Sequence, residues 1–67
     1  MTKPTILIRL PEVVARTGLS KSSIWARARA GSFPTPVKLG PRTTAWVASE
    51  VDQWVAEALA ARQHRPS

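Results

Sequence analysis

The sequence has no cysteine, only four acidic residues among 67, and no apolar run that approaches a membrane span. Without cysteine there are no disulfides, thiolate metal sites or thiol nucleophiles, and the chain is compatible with a reducing cytoplasm. A spanning helix needs about 20 consecutive apolar residues. Surface attachment to a membrane is also disfavoured, because the longest amphipathic segment, near the C-terminus, carries Asp52 and Glu57 where a lysine-rich polar face would be needed. The start, Met-Thr-Lys-Pro-Thr, shows no apolar signal region or small-residue cleavage pattern, so no export signal is expected. The sole histidine, His64, has no second histidine or cysteine to share a metal with and is expected to be solvated. Glu12, Glu50, Asp52 and Glu57 fall at helix surfaces or caps, and no nucleophile, base and acid converge. An enzyme is therefore not expected, nor a cofactor, a metal or a small-molecule ligand.

The shortage of acids is the mirror of what is plentiful. Ten Lys+Arg give a net charge of +6, which points to an anionic partner while saying nothing about fold. A chain of 67 residues has room for one domain with a thin core. Residues 1–62 are expected to form that domain, with a lead over residues 1–5 that is disordered and a flexible tail over residues 63–67.

The chain is organised around residues 18–31. Ser20 is a good N-cap and Gly31 suits the left-handed residue that ends a helix, which bounds a helix from Lys21 to Ala30. At about 100° per residue, Ile24 and Ala28 share one side, while Ser22, Trp25, Ala26 and Arg29 form a stripe on the other. Hydroxyl, indole and guanidinium groups make a poor core and a good surface for a polar, anionic groove. Upstream, Pro11 fits the first turn of a shorter helix running to about Thr17, with Leu10, Val13 and Val14 available for the core. Gly18 ends it, and a Schellman motif there would set Leu19 back onto Val14. Two helices joined through Gly18-Leu19-Ser20 read as a helix-turn-helix. By spacing alone, they also read as two amphipathic helices of a small bundle.

Ser32-Phe33-Pro34-Thr35-Pro36 cannot continue a helix and is expected to be an extended connector pinned by Phe33. Val37-Lys38-Leu39 and Thr44-Ala45-Trp46-Val47 alternate as two strands across a four-residue loop, Gly40-Pro41-Arg42-Thr43. The resulting wing over residues 37–47 has a basic tip, suited to a phosphate backbone. The competing reading is that Lys38 and Arg42 only keep an edge strand soluble. Ile6-Leu7-Ile8-Arg9 is β-prone and short, a candidate partner for a later strand. In the last helix, Ser49 and Asp52 resemble a capping box, and Val51, Trp54, Val55, Ala58 and Leu59 form a core stripe. Trp54 is expected to be its largest member rather than a stacking residue for a ligand or base.

These segments together resemble the AlpA family of prophage regulators. The resemblance rests on Arg9-Leu10-Pro11-Glu12-Val13, on Thr17-Gly18-Leu19-Ser20-Lys21-Ser22-Ser23-Ile24-Trp25, on Gly31 to Gly40, on Ala45-Trp46 and on Ser49 to Trp54. Their order and spacing match over about residues 6–62. The resemblance implies an α+β fold, a small winged helix-turn-helix of three helices with a β-hairpin wing between the second and third, akin to MerR and excisionase DNA-binding domains. It also implies binding to duplex DNA near prophage or integrative-element genes, as a transcription regulator or as a directionality factor for excision. The family often has tyrosine at the place of Trp25, a basic residue at Ala26 and a large apolar residue at Arg27. The charge is thus moved around the helix, and the DNA sequence read by relatives does not carry over.

The layout predicts the contacts. The helix from Lys21 to Ala30 enters the major groove by its N-terminus, with Lys21, Ser22 and Ser23 reaching base edges or phosphates and Trp25 and Arg29 flanking them. Arg27 is expected to lay its stem along the core edge with its head on a phosphate. Lys38, Arg42 and Thr43 are expected to grip the neighbouring backbone or minor groove from the wing. Specificity rests on few contacts, so adjacent copies on DNA or a partner such as an integrase are expected to add affinity. The rival is a protein-interaction module that docks an acidic partner through exposed Trp25 and the basic faces. The expected location is the cytoplasm, on the nucleoid.

Overall fold

A computed structural model describes residues 4–63. The elements in order are β1 (Leu7–Ile8), α1 (Leu10–Thr17), α2 (Lys21–Ala30), β2 (Val37–Gly40), β3 (Thr43–Val47) and α3 (Ala48–Gln63). The strands form one antiparallel three-stranded sheet in the order β1-β3-β2. This is the α+β winged helix-turn-helix architecture that the sequence predicts. Of the predicted disordered lead, only Pro4 and Thr5 are described, exposed and without regular structure. Of the predicted tail, Gln63 is helical and the rest, His64 included, lies outside the described residues.

α1 starts one residue earlier than the sequence suggested, at Leu10, with Pro11 in the first turn where its missing N–H leaves no bond unmade. The Arg9 carbonyl accepts from the N–H groups of Glu12 and Val13 at 3.0 and 3.1 Å. Gly18 (φ 75°) is left-handed and its N–H donates to the Val14 carbonyl at 2.8 Å. The expected Schellman motif does not form there, because the Leu19 N–H is taken by the Thr17 hydroxyl at 3.2 Å. The helix ends in the simpler single-bond left-handed cap, and Leu19 and Val14 both pack on the core. The Schellman pair of bonds appears at the end of α2 instead. There Gly31 (φ 83°) donates to Ala28 and Ser32 donates to Arg27. Ser20 caps α2 as expected, accepting from the Ser23 N–H at 3.2 Å.

The hairpin is tighter than predicted. β2 extends to Gly40 and β3 begins at Thr43, so the loop is Pro41-Arg42 alone and Thr43 is a strand residue. Primed turns, whose twist suits a two-residue loop, need positive φ, and neither loop residue has it. The register slips accordingly: Lys38 faces Thr44 and Gly40 faces Thr43, leaving Leu39 as a bulge. β1, a two-residue strand, pairs on the other side of β3, Leu7 with Val47 and Ile8 with Trp46.

α3 follows β3 with no residue between, and the Ala48 N–H donates to the Ile6 carbonyl at 2.8 Å. This start precludes the expected capping box at Ser49, and Asp52 is engaged elsewhere: both its carboxylate oxygens accept from Arg16 Nη1 at 2.9 Å. The predicted core stripe holds only for its first half. Val51 is buried and Trp54 and Val55 are half-buried, but Ala58 and Leu59 are exposed, because α1 and the hairpin stop short of this end of a 16-residue helix.

The core is Ile8, Val13, Ile24, Phe33, Trp46, Ala48 and Val51, with Leu10, Val14, Leu19 and Trp54 packed around it. Trp46 is the largest fully buried side chain. Its indole N–H donates to the Pro34 carbonyl at 3.1 Å and Trp54's to the Ser32 carbonyl at 2.8 Å, so the connector is held by two indoles as well as by buried Phe33.

Candidate nucleic-acid interface

α2 is fixed in rotation by Ile24, which is fully buried, with half-buried Ala28 about 40° beside it. On the helical wheel Lys21 and Arg29 then lie within about 40° of Trp25 and Ser22 about 60° from it, a polar face on one flank of the helix. Lys21, Ser22 and Arg29 are exposed, and the Ser22 hydroxyl stands 3.4 Å from that of Ser20. Ser23, half-buried, lies on the far side of the helix from Trp25.

Trp25 does not stand away from the core as its stripe suggested. It is 36% exposed and packs on Trp46, ring centroids 5.3 Å apart and planes at 58°. An assignment from the polarity of neighbours puts Trp25 opposite Ile24; the wheel puts it on the flank, where the large indole of Trp46 reaches it. Arg27 is about 160° from Trp25 and is not brought to the same face. Its guanidinium lies 6.0 Å from the centroid of the Trp54 ring, an exposed cation–π contact.

The wing supplies the second group of cations. Lys38 and Arg42 are exposed and Thr43 is half-buried. Because Lys38 is the partner of Thr44, the two point to one sheet face, and alternation puts Trp46 on that face as well. β2 is also an edge strand, so Lys38 has the place that the solubility reading requires.

A residue missed by sequence reasoning completes this side. Arg9, the residue before α1, donates from Nε to the Thr44 carbonyl at 3.1 Å and so lies across the end of the sheet. With Leu10, Pro11, Trp25, Arg42, Thr44 and Trp46 it lines a recess of about 190 Å³ that has no acidic wall. The only sequence signal was its place before Leu-Pro, since the β1–β3 pairing that carries it there spans almost 40 positions.

The acids lie elsewhere. Arg16 binds Asp52 and, through Nε at 3.1 Å, Glu12, and these hydrogen bonds, Asp52 first, raise the guanidinium pKa above its ordinary value. Both pairs are exposed and contribute little stability; the Arg16–Asp52 pair is the one that joins α1 to α3. Glu50 and Glu57 line an open groove of about 960 Å³ between the connector, the hairpin and α3, which also has Phe33, Val37, Val47 and Trp54 in its walls. Among the described residues, no group of three or more His, Asp or Glu could hold a metal, and no helix is long and apolar enough to cross a membrane.

The sequence is similar to known phage and prophage proteins. It is 45% identical over 56 residues to the uncharacterized protein ORF88 of Enterobacteria phage P4, a match covering 84% of this chain and 64% of that protein. The chain thus spans somewhat less than two thirds of that relative. It is 28% identical over 57 residues to the DNA-binding transcriptional activator AlpA of Escherichia coli (strain K12), covering 76% of this chain and 81% of the activator. Residues 6–59 match the profile of the family described as prophage CP4-57 regulatory protein (AlpA), and on that match, which takes in every strand and both helices of the helix-turn-helix, the chain belongs to the AlpA family of prophage regulatory proteins.

Proposed function

We propose that this protein regulates a prophage or integrative element by binding duplex DNA, with α2 in the major groove and the β2–β3 wing along the backbone. The observation that carries the reading is the sorting of charge: Lys21 and Arg29 share the flank of α2 with Trp25, Lys38 shares the sheet face of Trp46, and Arg9 and Arg42 line the recess beside the Trp25–Trp46 pair, which no acidic side chain lines. Arg29 is the candidate for bidentate contact with guanine, and Ser22 offers a short donor and acceptor to the groove floor. Trp25 presents its open edge to a thymine methyl or a sugar. Lys38 and Arg42 hold phosphates and set the register without reading sequence. The Escherichia coli relative is a transcriptional activator, which favours transcriptional control over a role in excision. On this reading residues 6–59 act as one DNA-binding unit. So small a unit makes few base contacts, and adjacent copies or an integrase would raise its affinity.

The test is a duplex titration across a salt series. Four or five cations on phosphates give a slope of log K against log salt of about −4. A salt-independent signal, or no binding to any duplex at about 50 mM salt, overturns the reading and favours a protein partner for the basic face.

A further inference from the structure

We propose that the recess between Arg9 and Arg42 seats a single DNA phosphodiester, straddled by both guanidiniums, and that Arg9 is a further DNA-binding residue. The proposal rests on the DNA-binding reading above and adds Arg9, a residue outside both α2 and the wing.

Three features argue for it. Two arginines from distant parts of the chain line one small depression, and no carboxylate lines it with them. Like charges brought together in a recess repel unless an anion lies between them, and a guanidinium is the side chain best shaped to fork onto phosphate oxygens. Second, Arg9 is aimed. Its Nε donates to the Thr44 carbonyl at 3.1 Å, which fixes the plane of the fork, and among the described residues its two terminal nitrogens make no hydrogen bond. Third, the Trp25–Trp46 pair lines the same recess, and Trp25 is on α2. A phosphate held here is therefore next to the helix proposed for the major groove. The recess, of about 190 Å³, accommodates one phosphate with its ester oxygens and no nucleotide stack.

One shared phosphate makes a specific forecast. Arg9→Ala and Arg42→Ala, each checked for folding by circular dichroism, should each weaken binding to a random duplex several-fold at about 50 mM salt and make the salt slope shallower by up to about 0.9. The double variant should lose about 0.9 in total and not about 1.8, because both side chains neutralise the same phosphate. Arg9→Lys should recover less than half of the loss, since an ammonium cannot bond the Thr44 carbonyl and fork onto a phosphate together. Arg62→Ala, far along α3, is the control and should change little.

If wild type binds with a slope near −4 and Arg9→Ala matches it, the seat is refuted while the DNA reading stands; if wild type does not bind, the DNA reading itself has failed. Full recovery by Arg9→Lys, or a double variant whose slope is shallower by about 1.8, replaces the shared seat with independent diffuse charges. A last arm uses inorganic phosphate without DNA and tryptophan fluorescence. A saturable response abolished by Arg9→Ala, with duplex binding untouched by the same substitution, would make this a site for a free anion and overturn the proposal.

Discussion

The basic recess and the acidic groove open on opposite faces of the same sheet. The recess is lined by Thr44 and Trp46, and the groove by Val37 and Val47, which alternation puts on the other side. Both are walled by an aromatic pair, Trp25 on Trp46 at 5.3 Å and Phe33 on Trp54 at 5.0 Å. What differs is the charge and the state of the indoles. The groove carries Glu50 and Glu57, and its tryptophan is tied to the Ser32 carbonyl. The recess carries two arginines, and among the described residues the Trp25 N–H has no hydrogen bond. A formal charge of +6 thus understates the polarity of the molecule, since the cations of one face are not diluted by the acids of the other.

The most drastic way to break the comparison is Trp46→Ala, which removes the largest fully buried side chain. The expected cost is about 3–5 kcal/mol, enough to abolish the cooperative melt of a marginally stable domain. Trp54→Ala should cost less, about 2 kcal/mol, because the ring is only half-buried. It should leave duplex affinity unchanged in the folded protein, since it walls only the groove; a matching loss of DNA binding at temperatures well below the melt would show that the two faces are not independent.

Trp25→Ala is the converse test. Losing the contact with Trp46 should cost about 1 kcal/mol, while duplex binding falls about tenfold. Fluorescence of a chain in which Trp25 is the only tryptophan altered, compared with wild type on adding DNA, identifies its share of the signal. A melt as low as that of Trp46→Ala, with binding intact in the folded fraction, would reassign Trp25 to the core. The smallest effect is expected from Glu50→Gln and Glu57→Gln together. Across the sheet from the cations, they should change duplex affinity by less than about twofold at 0.15 M salt, where the screening length is about 8 Å.

What was legible in the sequence was whatever local signals decide. Ser20, Gly18 and Gly31 bounded the two helices of the turn because a cap depends on residues within one helical turn. Even there Leu19 escaped, since the Thr17 hydroxyl competed for its N–H. The illegible parts were tertiary. Periodicity showed that α3 has an apolar stripe but not that its packing partners end near Val55. Asp52 looked like a capping residue until Arg16, 36 positions away, claimed its carboxylate. The candidate face was legible as a set of types, with Lys21, Ser22, Arg29, Lys38 and Arg42 exposed on or beside it. Where Arg9 and Arg27 lie was not legible, because one depends on strand pairing and the other on which flank Trp54 occupies.

The bond from the Ala48 N–H to the Ile6 carbonyl has a practical corollary for how the protein can be handled. Residues 6–8 act as a latch: Ile6 supplies the acceptor for a donor at the very start of α3, and β1 inserts Ile8 beside Trp46. Trimming the chain through residue 8 would free that donor and open the core at its largest side chain, so a shortened version should begin upstream of Ile6. The far end tolerates more: from Ala56 to Arg62 every side chain is exposed, so a fluorophore, tag or fused domain attached after Arg62 disturbs no core residue.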